Sequence, residues 1–116
     1  MEDRYERQLK KGALEIVILR LIAKRPSYGY ELLTELEKKS GRFFSLREGT
    51  LYPVLYRLED DGLIHAEWKG AGGRGAPKKV YSITPQGKER LPGLCSLWQQ
   101  FSKSVNDILF EEESKS

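Results

Sequence analysis

The chain has 116 residues, 39% of them hydrophobic and 32% charged, with a formal net charge of +3. That length holds one domain with a modest core, and the composition is that of a soluble globular chain rather than a disordered one. A single cysteine, Cys95, excludes an internal disulfide and fits a reducing compartment. The longest apolar stretch, residues 13–23, is broken by Glu15 and Arg20 and is too short to span a bilayer. The first residues, MEDRYERQLKK, lack the apolar run of a secretory signal, so the expected location is cytoplasmic, with no membrane partner. Glu111, Glu112 and Glu113 against Lys115 give the tail −2, so residues 1–110 carry +5. The basic residues cluster: Arg4, Arg7, Lys10 and Lys11 near the start, and Lys69, Arg74, Lys78 and Lys79 around a glycine-rich loop. Such clusters suit a phosphate backbone, or form a solvated basic face.

In chain order, a first helix is expected over residues 6–24. Leu9, Ala13, Ile16, Val17 and Arg20 make one stripe, and Leu14, Ile18, Leu21 and Ile22 another. A helix apolar around most of its circumference must be buried on two sides. In so small a domain, one side is the core and the other a partner subunit. Arg25-Pro26-Ser27 ends it. A second helix begins at Ser27 or Tyr28 and runs to Ser40, with Tyr28, Leu32, Leu33 and Leu36 on its apolar face and Gly41 as the stop. After an apolar connector of Phe43, Phe44 and Leu46, a third helix covers residues 48–61 with Leu51, Val54, Leu55 and Leu58 facing inward. Pro53 is expected in its first turn, where a missing N–H matters little, and Gly62 at its end. Residues 63–69 and 78–83 read as strands. Thr84-Pro85 is a strong start for a last helix running to Phe110. Pro92-Gly93 predicts a kink or break inside that helix. Leu91, Leu94, Trp98, Phe101, Val105 and Ile108 recur at intervals of three and four, a heptad seam that needs a partner helix.

A helix followed by two strands around a basic, glycine-rich loop is the order of a winged helix. The fold class expected is mainly α with a small β-hairpin wing: a winged helix-turn-helix plus a C-terminal dimerisation helix. Several separate motifs carry a closer likeness. They are Tyr28-Gly29-Tyr30-Glu31-Leu32, the run from Gly49-Thr50-Leu51-Tyr52-Pro53 to Leu58-Glu59, Asp61-Gly62-Leu63-Ile64, and Tyr81-Ser82-Ile83-Thr84-Pro85-Gln86-Gly87. Together they resemble the PadR-like transcriptional regulators over roughly residues 8–90. Residues 73–79 look like that family's wing, and the single C-terminal helix looks like its small subfamily. The resemblance implies a homodimeric winged-helix regulator, usually a repressor. It also implies residues 1–84 as the DNA-binding domain, residues 85–116 as dimerisation helix and tail, and a backbone-positioning role for Tyr28 and Tyr30. Taken alone, either tyrosine could equally pack the core with its hydroxyl at the rim.

In a helix-turn-helix the second helix of the motif enters the major groove. The outward residues of the third helix include Thr50, Tyr52, Pro53, Tyr56 and Arg57. Thr50 suits a base or a phosphate, Tyr52 a phosphate, and Pro53 a thymine methyl. Arg57 suits a phosphate, or an internal salt bridge within the run Glu59 to Asp61. On the wing, Arg74 is the candidate for a minor groove, with Lys78 and Lys79 on flanking phosphates. Gly70, Gly72 and Gly75 match a dinucleotide-binding spacing, but a strand follows instead of a helix, which excludes that reading. Lone His65 and lone Cys95 make no metal site, and Cys95 is expected buried or at the dimer contact. No cofactor and no catalytic constellation is expected.

Trp98, mid-seam, suits a flat aromatic effector, with Phe101 beside it and Leu9 and Ile16 completing the walls. Dimerisation falls to Leu94, Trp98, Phe101, Val105 and Ile108, and Trp68 is read as an anchor at the wing base. The expected partners are a near-palindromic double-stranded operator, a second copy of the chain and a small aromatic ligand. The alternative is a winged-helix protein–protein interaction module without specific DNA binding.

Overall fold

The computed structural model of the chain describes residues 3–70 and 75–112. Helix α1 spans Arg4–Lys24, and Asp3 caps it by accepting the Glu6 N–H on Oδ1 at 2.8 Å. It stops at Lys24 because Arg25 precedes Pro26, and the proline ring forces that residue out of the helical region into extended backbone. Ala13, Leu14, Ile18, Leu19 and Ile22 enter the core, while Leu9 remains 69% exposed and Ile16 and Val17 half-buried. The helix therefore has one satisfied apolar face and one open one.

The extended chain after Pro26 becomes a two-residue strand, β1 (Ser27–Tyr28), where the sequence predicts the start of the second helix. Helix α2 (Gly29–Lys39) starts beyond it, with Tyr28 as its N-cap and the Glu31 carboxylate accepting the Tyr28 N–H at 3.1 Å. Leu32 and Leu36 are its core contribution. Helix α3 (Glu48–Asp60) buries Leu51, Val54, Leu55 and Leu58, the four residues expected. Pro53 lies in its second turn rather than its first. The helix passes through it because Gly49, whose carbonyl loses a donor, is exposed to water.

At the end of α3 the Leu63 N–H bonds the Leu58 carbonyl and the Gly62 N–H the Glu59 carbonyl, both at 3.0 Å, with Gly62 at φ +76°. This left-handed stop needs glycine and turns the chain into the wing. Strands β2 (Ile64–Lys69) and β3 (Lys78–Ile83) pair antiparallel from Ile64↔Ile83 to Lys69↔Lys78, and β1 adds to the other edge of β3. The alternation sends Ile64, Ala66, Tyr81 and Ile83 to the core. It leaves His65 and Glu67 outside, 2.9 Å apart, with the His65 hydrogen bond holding the Glu67 carboxyl below its ordinary pKa.

Helix α4 (Pro85–Leu109) begins as expected, with the Thr84 hydroxyl accepting the Gly87 N–H at 3.0 Å and proline in the first turn. It runs unbroken past Pro92, correcting the expectation of a break. Lys88 and Pro92 are both exposed, so solvent serves the Lys88 carbonyl that the proline leaves without a donor. Leu91 completes the core, and Leu94 and Cys95 pack against it. Among the described residues no helix is long and apolar enough to cross a membrane.

Tyr81 is fully buried, and its hydroxyl has no hydrogen-bond partner among the described residues. Burial first, then Tyr52, Glu59 and Tyr56, push its pKa up to about 12. Tyr81→Phe should therefore keep stability at neutral pH within about 1 kcal/mol of the parent, or raise it, because only an unsatisfied group is lost. Ionisation favours the unfolded chain, where the value is 10.0. Stability is intact below pH 10 and declines as pH rises from 10 to about 12. Urea unfolding on either side of that interval should show a smaller decline for the phenylalanine variant, and equal declines would contradict this account.

Candidate nucleic-acid interface

Three elements converge on one face: the start of α2, the outer side of α3 and the base of the wing. Capping puts Tyr28 at the α2 terminus, half-buried, while Tyr30 is exposed one turn edge away. On α3, the four core residues force Thr50, Pro53, Tyr56 and Arg57 outward. On β3, Lys78 and Lys79 point to opposite sides of the sheet. Lys78 Nζ lies 4.4 Å from the Tyr28 ring centroid and donates to its hydroxyl at 3.4 Å. Lys79 Nζ lies 5.7 Å from the ring centroids of both Tyr56 and Tyr81. Each contact of this kind is worth roughly 0.5–1 kcal/mol at an exposed site, enough to bias where the ammonium sits while leaving its charge open to an anion.

Tyr52 differs from the outward reading. It is half-buried and packed against the core, with its phenol end against the space where a Gly29 side chain would stand. Its ring stacks obliquely on Tyr56, centroids 6.2 Å apart. Gly29 is therefore required by close approach, and Tyr52 is held half-buried against it. Arg57 is also corrected: it pairs with Glu15 of α1 at 3.1 Å, not with the acids that follow it. The N-terminal basic cluster splits. Lys10 is buried, bonded to Glu6 at 2.8 Å and 4.6 Å from the Phe43 ring centroid, so it belongs to the packing of the connector. Trp68, read as an anchor, is 67% exposed and faces the same side of the wing as its cross-strand partner Lys79. Arg74 lies outside the described residues.

A second feature lies between α1 and α4, an apolar groove of about 380 Å³ lined by Leu9, Ile16, Leu97, Trp98 and Phe101, with Gln8 and Gly12. It gathers all four residues marked for an effector. Leu97 was missed, since it stands off the heptad seam. The Trp98 and Phe101 rings are 5.9 Å apart at 38°. The seam divides at this level. Leu94 is used by the chain's own core, whereas Trp98, Phe101 and Ile108 are exposed and Val105 is half-buried. Cys95 is half-buried within the fold. Among the described residues no group of three or more His, Cys, Asp or Glu side chains could hold a metal ion.

Comparison with known proteins agrees with this architecture. Residues 18–92 match the model of the transcriptional regulator PadR-like family. The chain is 36% identical over 85 residues to the transcriptional regulator Rv3488 of Mycobacterium tuberculosis, covering 73% of this chain and 75% of that one. It is 30% identical over 94 residues to the negative transcriptional regulator PadR of Bacillus subtilis, covering 81% of this chain but 51% of that longer protein. Among solved structures, a PadR-like transcriptional regulator from Bacillus cereus superposes with a TM-score of 0.74 at 38% identity, over 90% of this chain and 99% of that one. The motifs, the wing and these likenesses agree, and the chain belongs to the PadR-like family of transcriptional regulators.

Proposed function

We propose that the chain is a homodimeric, sequence-specific DNA-binding repressor whose grip on its operator is released by a flat aromatic ligand. The observation that carries the DNA part is the α3 face: exposed Thr50 and Pro53, flanked by tyrosine-backed Lys78 and Lys79. Rigid positioning of a helix by flanking phosphate contacts is how base edges are read in register. The bare apolar half of α4 and the open stripe of α1 support the dimer. A dimer would present two recognition helices to half-sites about one helical turn apart. The name of the Bacillus subtilis relative supports repression. The groove beside Trp98 supports the ligand: it is apolar, bounded by two aromatic rings and of small-molecule size. A ligand there would act only through different affinities for two arrangements of the dimer.

The test uses a duplex selected from a random-sequence library and a random duplex of equal length. Thr50→Ala should weaken binding to the selected duplex by about fivefold to a hundredfold and to random DNA very little. Lys78→Ala should weaken both equally and reduce the slope of log K against log salt by about 0.9. Equal effects of Thr50→Ala on both duplexes would remove α3 as the reading element. Equal binding of the parent protein to both duplexes would favour a protein-interaction module instead.

A further inference from the structure

We propose that the groove between α1 and α3 is a second phosphate-gripping surface, in which Lys11 and Arg47 hold the DNA backbone on the flank of α3 away from the wing. This rests on the DNA-binding reading and adds contacts which that reading does not contain.

The groove is open, about 580 Å³, and no carboxylate is among the residues that line it. Its cations come from two elements: Arg7, Lys10 and Lys11 from α1, and Arg47 and Arg57 at the N-cap and in the last turn of α3. Three of the five are already engaged: Lys10 with Glu6 and the Phe43 ring, Arg57 with Glu15, and Arg7, which also has a partner. Lys11 and Arg47 are exposed, and the structure gives neither an ion pair among the described residues. Lys11 and Arg47, uncompensated in a groove that no carboxylate lines, select an anion. Thr50 and Pro53 line the same groove, so it opens directly onto the face of α3 proposed to read bases. Tyr52 and Tyr56, nearer Lys79, mark the other side of that helix. One helix seated in a major groove has a phosphate strand on each side. Lys79, beside Tyr56, serves one strand, and Lys11 with Arg47 serve the other. An acidic peptide would meet the same charge, but the groove runs into exposed Thr50 and Pro53 on the α3 face proposed to read bases, which favours DNA.

The test is the double variant Lys11→Gln with Arg47→Gln, both exposed positions, with its unfolding midpoint compared to the parent. Binding is measured to the selected duplex and to the random duplex between 50 and 200 mM salt, a range over which phosphate contacts lose roughly a thousandfold or more in affinity. The expected result is a slope shallower by about 1.8, two phosphate contacts, with the same fold loss on both duplexes. An unchanged slope, in a protein whose slope still falls on Lys78→Ala, overturns this inference and leaves the DNA reading standing. A loss confined to the selected duplex overturns it in favour of a base-reading role. If the parent protein binds neither duplex in a salt-dependent way, the inference and the DNA reading fail together.

Discussion

Gly87→Ala should lower the stability of the chain by about 1–3 kcal/mol and its melting temperature by roughly 4–12 °C. Gly87 sits in the first turn of α4, and a Cβ there would run into the Leu63 carbonyl oxygen and come within 2.6 Å of Ile83 Cγ1. The obstacle is backbone and has little room to yield. That carbonyl accepts the Thr84 N–H at 3.0 Å, and Leu63 in turn donates to Leu58 as part of the α3 stop. The Thr84 hydroxyl also donates to the Gly62 carbonyl at 2.6 Å. One small knot thus fixes the end of α3, the foot of the wing and the direction in which α4 leaves. The control is Gly93→Ala in the same helix, where the nearest atom is the flexible end of Arg90 at 3.4 Å. That change should raise stability by about 0.5–1 kcal/mol, the ordinary helical preference for alanine. Thermal unfolding of the two variants should move in opposite directions. A neutral Gly87→Ala would show that the junction is looser than its contacts imply.

Phe101→Asp combined with Ile108→Asp should convert a dimer to a folded monomer and weaken binding to a palindromic duplex by about a hundredfold to ten-thousandfold. The second half-site is then no longer engaged at high effective concentration. These side chains are 54% and 74% exposed, so the charges meet water in the monomer and leave its fold intact, but they would be buried without partners in a helix–helix seam. Leu109 and Phe110 are exposed beside them, so the end of α4 carries more apolar surface than its own chain covers. Sedimentation of parent and variant reads the outcome. A parent protein already monomeric at micromolar concentration, or a variant still dimeric, would contradict the role given to the seam.

Where hydrophobic period and local punctuation agreed, the sequence was a sufficient guide. The core face of α3, the glycine stop at Gly62 and the Thr84-Pro85 start are all set by neighbours a few residues away. The departures are tertiary. The Arg57–Glu15 pair joins residues 42 apart, and nothing local favours Glu15 over the nearer acids. Lys10 reads as one more surface cation until Phe43 and Phe44 fold over it. Strand β1 is two residues long, too short for any period, and exists because Pro26 extends the chain beside an open edge of β3. Tyr52 lies at the margin of the α3 face, and only the absence of a side chain at Gly29 draws it inward. The basic groove was legible in half: the α1 cations stood out as a cluster, but Arg47 joins them only when α3 packs across α1.

The proposed work of this fold is to distinguish one DNA sequence from another. The most direct measurement is competition between a duplex recovered by repeated binding selection and random DNA of equal length, at physiological salt. Convergence is expected on a near-palindrome bound at least about a thousandfold more tightly than random DNA. Failure of the selection to converge, with equal and weak binding to both duplexes, would contradict it.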